Sequence, residues 1–206
     1  MTTSAQQALS PEEALERLLA GNRRFIEDQP EARSKRWHAD LAQGQSPFAV
    51  ILGCSDSRAP AELIFDQGLG DLFMIRVAGN IVAPSLIGSV EFAVAQLGVR
   101  LAMVMGHTQC GAIAATLSAL RSPDQLSKNL EAITRRIEPQ IEALLLKYDA
   151  PESEPALRRA AERANVLGSV QQLQHGSPYL EGLVQQGRVR IVGTIFELET
   201  GQVHVL

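Results

Sequence analysis

At 206 residues, with 45% hydrophobic and 20% charged residues, the chain has the composition of one globular domain with a real core. Its net charge of −4 gives no electrostatic footprint for nucleic acid, and no apolar run reaches the length of a membrane span. The opening MTTSAQQALSPEE lacks the basic and apolar regions of a secretory signal. A cytoplasmic location is therefore expected, where both cysteines stay reduced.

Residues 1–9 are polar and read as loose. Ser10-Pro11-Glu12-Glu13 is a helix start, with Ser10 as N-cap, Pro11 at the first helical position and Glu13 closing a capping box. Ala14, Leu15, Leu18, Leu19 and Phe25 continue an apolar helical face to about residue 27. Asp28 to Ser46 reads as loop with one short helix. A β/α alternation follows. Phe48–Leu52 is a buried strand ending in Gly53, and Leu72–Val77 is a second. Ser85–Leu97 is a helix closed by Gly98, Leu101–Met105 is a strand stopped by Gly106, and Gly111–Leu120 is a short helix. The charged stretch from Ser122 to Gln174 reads as two helices, about 127–147 and 154–174, broken at Asp149-Ala150-Pro151, with the charges on a solvated face. Tyr179–Gln186 is a further helix and Val189–Val192 a further strand. Thr194–Leu198 and Gln202–Leu206 flank the hairpin signal Glu199-Thr200-Gly201.

The expected fold is α/β: a mostly parallel central sheet flanked by helices, with an antiparallel edge strand or C-terminal hairpin and an N-terminal helical extension. One domain spans 1–206, divided into a helical arm over 1–46 and an α/β core over 47–206 that carries a helical insertion at about 122–174. Ligands in such folds sit beyond the carboxyl ends of the strands.

Two segments at that end carry the chemistry: 54-CSDSR-58 and 106-GHTQCG-111. Cys54, His107 and Cys110 make a Cys2His set suited to zinc. Three protein donors leave a fourth position free, the mark of a catalytic rather than a structural zinc. Taken singly, each residue is explained by a buried thiol or a satisfied core histidine; three together at strand ends beside glycines point to a metal. Asp56 and Arg58 face the same way on an extended segment and are expected to form a forked ion pair that keeps the carboxylate ionised. Such a carboxylate either orients solvent held by zinc or takes the fourth position itself, so control of the site by pH is expected. Two thiolates cancel the charge of Zn2+, which shifts the working pH to the alkaline side. His38, His175 and His204 lack ligand spacing and read as surface or packing residues. No phosphate-binding loop and no C-x-x-C motif is present.

These residues resemble the β-class carbonic anhydrases. The likeness is densest over about 42–118, in QGQSPFAVILGCSDSRAPAELIFDQGLGDLFMIRVAGN, GSVEFAVAQLG and GHTQCGAI, and extends to the C-terminal GTIFELETGQV. The resemblance implies one Zn2+ per subunit on Cys54, His107 and Cys110, with carbon dioxide and bicarbonate as substrates and zinc-bound hydroxide as the attacking group. It also implies that Asp56 and Arg58 act as described. It implies a homodimer or homotetramer with the site near the subunit interface, and substrate contacts at Gln45, Phe73, Ala78, Phe92 and Gly111. Core packing is an equal reading for Phe73, Ala78 and Phe92. A bicarbonate-inhibition pocket known in some bacterial members falls at Ile51, Arg76 and Phe196; only the arginine matches, so no such pocket is expected. Three alternatives stay open: hydrolysis of carbon disulfide or carbonyl sulfide at the same site, a zinc scaffold closed by Asp56, and a metal-free binding module.

Overall fold

Buried β-branched and aliphatic runs pair with one another in the middle of a sheet, and among the described residues they form five strands in the order β2-β1-β3-β4-β5. The strands are β1 (Ala49–Gly53), β2 (Leu72–Arg76), β3 (Leu101–His107), β4 (Arg190–Phe196) and β5 (Val203–Val205). The first three pairings are parallel and β4–β5 is antiparallel. The computed structural model describes residues 9–31, 39–122, 126–148, 150 and 153–206. The expectations for residues 1–8, for His38 and for most of the break at 149–151 lie outside that set.

Period-two alternation sorts each central strand between two cores. Val50, Leu52, Ala102, Val104 and Ile191 face α3 (Pro84–Leu97), α6 (Glu154–His175) and α7 (Pro178–Gln185). Ala49, Ile51, Leu101, Met103, Met105 and Val192 face α1 (Pro11–Ile26) and α2 (Ala61–Ile64). A third cluster lies over one end of the sheet. It joins Cys54 and Cys110 to Ile113 and Leu117 of α4 (Gly111–Arg121), Ile137 and Ile141 of α5 (Lys128–Lys147), and Leu157 and Ala161 of α6. The two expected helices of the insertion are α5 and α6, and they wall that end.

Helix α1 begins with the expected capping box, Glu13 N–H donating to Ser10 Oγ and Ser10 N–H to Glu13 Oε2. It packs on its own chain through Ala14 and Leu18. Gly21 lets it pass over Phe65, whose carbonyl oxygen would lie 1.8 Å from any Cβ there. Asn22 is buried, donating to the Ile64 and Gly201 carbonyls and accepting from Val203 N–H. The short helix expected between residues 28 and 46 is a 3-10 turn at Ala39–Gln43.

The sequence reading errs at two glycines. β3 does not stop at Gly106; it runs through to His107, so the histidine stands on the strand itself. Val189–Val192 and Thr194–Leu198 are not two strands but one, β4, with Gly193 inside it. The reason is shared. A Cβ on Gly106 would meet Val166 Cγ2 at 2.4 Å, and one on Gly193 would meet Val166 Cγ1 at 2.9 Å. Both glycines are gaps in the sheet surface that seat Val166 of α6, and neither is a break.

Candidate metal centre

The strand order places the switch in sheet direction between β1 and β3, the crevice where ligands gather in open α/β sheets. Cys54 follows β1, His107 ends β3, and Cys110 is the N-cap of α4. Their side chains converge: one donor atom from each lies within 4.8 Å of the other two, and all three residues are buried. Donors on one zinc sit roughly 3.5–4 Å apart, given bonds of about 2.0–2.3 Å. The set therefore needs only small side-chain adjustments to close on an ion.

The donor states fit a cation. His107 Nδ1 lies 2.9 Å from the Thr108 carbonyl, which can only accept, so the ring proton is on Nδ1 and the lone pair on Nε2. That Nε2 is buried without a hydrogen-bond partner. Burial disfavours charge on His107, but the Cys54 sulfur and the Thr108 carbonyl outweigh it and raise its pKa. The Cys110 thiol beside Cys54, helped by His107 and the Gly79 and Asp56 amides, lowers the Cys54 pKa against the opposing effect of burial. The negative Cys54 sulfur and burial in turn push Cys110 up. The two neighbouring sulfurs thus shift each other in opposite directions, and a divalent ion between them would favour both as thiolates. Gly79 N–H donates to Cys54 Sγ at 3.3 Å, a further mark of a sulfur carrying negative charge.

Asp56 and Arg58 form the expected fork, but on a turn and not on an extended segment: the Ala59 amide donates to the Asp56 carbonyl at 3.1 Å. Arg58 Nε donates to Oδ1 at 3.0 Å and Nη2 to Oδ2 at 2.8 Å, while the Arg58 amide also reaches Oδ1 at 2.9 Å. The guanidinium holds the Asp56 carboxyl well below the usual carboxylate range. Arg58 Nη2 also reaches the Gln109 carbonyl at 3.3 Å, tying the two motifs together. Asp56 Oδ2 stands 3.8 Å from His107 Nε2.

The other expected site residues are more dispersed. Ala78 opens the 3-10 turn Ala78–Asn80, one residue before the Gly79 amide on Cys54. Gly111 is the first residue of α4, next to Cys110. Gln45 is exposed in the loop before β1. Phe73 pairs with Val50, four residues before Cys54, and its ring lies 6.0 Å from that of Phe92, which is half-exposed on α3. His175 pairs with Glu181 and His204 with Glu197, both at the surface.

Sequence reasoning missed two supports. Arg76 donates to the Cys54 carbonyl at 3.0 Å and to the Asp56 carbonyl at 2.7 Å, stapling the CSDSR backbone. Glu162 was expected on a solvated face but is only 4% exposed, and its Oε1 accepts the Cys110 amide at 3.2 Å. Burial raises its carboxyl pKa, and the amides of Cys110 and Gln109 oppose the rise. Nothing in the local sequence marks it; only the run of small residues along α6 hints that this helix lies close to its neighbours.

A mostly parallel sheet with two thiols and an imidazole gathered at its switch point defines an α/β protein with a donor set that could hold a metal ion. Comparison with known proteins agrees. The carbonic anhydrase family model matches residues 49–203. A carbonic anhydrase of Mycolicibacterium smegmatis is 39% identical, covering 95% of this chain and 93% of its own length. Carbonic anhydrase 2 of Mycobacterium tuberculosis is 36% identical, covering 94% and 91%. Among solved structures, the β-carbonic anhydrase CcaA superposes with a TM-score of 0.73 at 29% identity, covering 93% of this chain and 86% of that one. A structure from the report on two tetrameric β-carbonic anhydrases of Sordaria macrospora gives 0.73 at 26% identity, covering 81% and 84%. The chain belongs to the β-class carbonic anhydrase family.

Proposed function

We propose that this protein catalyses the reversible hydration of carbon dioxide to bicarbonate and a proton, with one zinc ion held by Cys54, His107 and Cys110. The observation that carries the reading is the buried, unpartnered Nε2 of His107 facing two sulfurs within 4.8 Å. When bound, zinc would supply Lewis acidity, lowering the pKa of water so that it becomes a nucleophile.

The chain's own groups orient and steer. Asp56, kept ionised by Arg58, accepts a hydrogen bond from the attacking water and aims its lone pair. The same carboxylate would be able to ligate the ion and switch the site off. The two thiolates offset the ion's charge, so the working pH lies on the alkaline side. Gln45, Phe73, Ala78, Phe92 and Gly111 are assigned to substrate contact. The exposure of Gln45 and Phe92 in a single chain suits residues covered by a neighbouring subunit. Assembly as a homodimer or homotetramer, and a cytoplasmic location, belong to this reading. Among the described residues no helix is long and apolar enough to cross a membrane.

Ile51 and Phe196 are buried in the core beneath α1, and Arg76 is engaged on the Cys54 and Asp56 carbonyls. This favours the absence of a remote bicarbonate pocket.

Zinc quantification on the full chain, coupled to stopped-flow carbon dioxide hydration at several pH values, tests the reading. One zinc per chain with activity rising toward alkaline pH is expected. No stoichiometric metal would sink it, and turnover of carbon disulfide or carbonyl sulfide with none of carbon dioxide would reassign the substrate.

A further inference from the structure

Helix α6 presents three buried polar side chains on one stripe: Glu162, Asn165 and Ser169, at 4%, 2% and 3% exposure. Their spacing of three and four residues puts them on the same helical face. Each is spent on backbone of a loop around the metal centre. Glu162 takes the Cys110 amide at 3.2 Å and also faces the Gln109 amide. Asn165 Nδ2 donates to the Gly79 carbonyl at 2.8 Å, and Ser169 Oγ to the Asn80 carbonyl at 3.1 Å. The Gly79 amide in turn contacts Cys54 Sγ. One helix therefore grips the loops behind both sulfurs.

These loops do not hold their shape by local preference. Gln109 and Asn80 are non-glycine residues with φ of 58° and 42°, in the left-handed region. Such conformations persist only where surrounding contacts over-determine them. Cys110 as N-cap makes no side-chain cap of its own for α4. The amide at that helix end takes its acceptor from Glu162, across 52 residues of chain.

We infer that Glu162 is a positioning residue for the metal centre: through the Cys110 amide it fixes where the Cys110 sulfur stands relative to Cys54 and His107. The inference rests on the metal reading above and adds a residue to it. The required property is reach plus an acceptor oxygen. Glutamine keeps both, whereas aspartate keeps the charge but withdraws the oxygen by one methylene. Groups that orient metal ligands from behind are worth roughly 10–100-fold in metal affinity.

The test measures Zn2+ affinity of the metal-stripped full chain by competition with a chromophoric chelator. It also records the visible and thiolate charge-transfer spectrum after Co2+ loading, for wild type, Glu162→Asp and Glu162→Gln. Far-UV circular dichroism and melting confirm the fold of each. Glu162→Asp is expected to bind Zn2+ about 10–100-fold more weakly and to shift the cobalt bands, while Glu162→Gln stays within about threefold of wild type with its spectrum kept. A spectrum that moves reports geometry at the ion, which a residue serving stability alone would leave unchanged. Wild-type affinity and spectrum in Glu162→Asp would overturn the inference, as would equal loss in both variants. A wild-type chain that takes up no metal would instead bring down the metal reading itself, so the two failures are told apart.

Discussion

Asp56 and Arg58 meet through two parallel hydrogen bonds of 3.0 and 2.8 Å, and the oxygen on the shorter one stands 3.8 Å from His107 Nε2. The pair keeps a negative group beside the donor cluster without inserting it there. Replacing Asp56 by Asn removes the charge but spares all three buried donors. Metal content should stay near that of the wild type, while hydration slows by roughly 10–100-fold, as for other groups that orient a metal site from outside it. Metal analysis and stopped-flow hydration on the same preparation check this; full activity in the Asn variant would refute the role.

Changing Cys54, His107 or Cys110 to Ala should remove metal and activity together, because two donors hold an ion far more weakly than three. Elemental analysis of each purified variant is the measurement. Retention of one ion per chain by the His107→Ala variant would contradict the assignment of its Nε2.

The fork also sets a pH dependence. Arg58 depresses the Asp56 pKa in the folded chain, so the pair's contribution is present above the ordinary carboxylate value and is lost as pH falls through the lower folded one. Asp56 should stay ionised below pH ~3.9, the usual aspartate value. In Arg58→Gln its midpoint should climb back toward that value. Carboxyl carbon shifts of Asp56 followed by NMR across the acid range measure both, and an unchanged midpoint in the variant would show that Arg58 is not the cause.

At the sheet, Gly106→Ala places a methyl 2.4 Å from Val166 Cγ2. Overpacking of that kind costs about 1–3 kcal/mol. Adding Val166→Ala opens the space again, so the double variant should be more stable than the sum of the two single losses predicts. Urea unfolding of the four proteins gives the cycle; strict additivity would mean that Val166 does not occupy the gap.

Asn22 ties α1 to the end of α2 and to the segment entering β5 with three hydrogen bonds to backbone. Asn22→Ala strands buried carbonyls and an amide, at a cost of at least about 2 kcal/mol. Asn22→Asp should be no better, because it turns the two donated bonds into oxygens facing oxygens. Denaturant midpoints of the two variants decide this.

Much of this was legible in the chain because it is written locally. Ser10 to Glu13 carries its own cap, apolar runs announce β1 and β2, and the metal donors sit in two compact motifs. The bounds expected for the two helices of the insertion, about 127–147 and 154–174, lie within a residue of α5 and α6. What stayed hidden depends on partners far away in sequence. Gly106 and Gly193 read as strand breakers, since a glycine's usual meaning is local, yet here each answers to Val166. Glu162 reads as one charge among many, and only the packing of α6 against the Cys110 amide sets it apart. Arg76 carried no sign of its two carbonyl acceptors, because backbone oxygens leave no trace in a sequence.

The seat beneath Val166 fixes the rotational phase of α6. Glu162 lies one turn before that valine, so the helix is indexed against the sheet at one point and delivers its carboxylate at another. A residue added between the two would swing Glu162 by about 100° around the axis, away from Cys110. The ion-binding end of the molecule thus takes its alignment from the middle of the sheet, through a peg of two methyl groups.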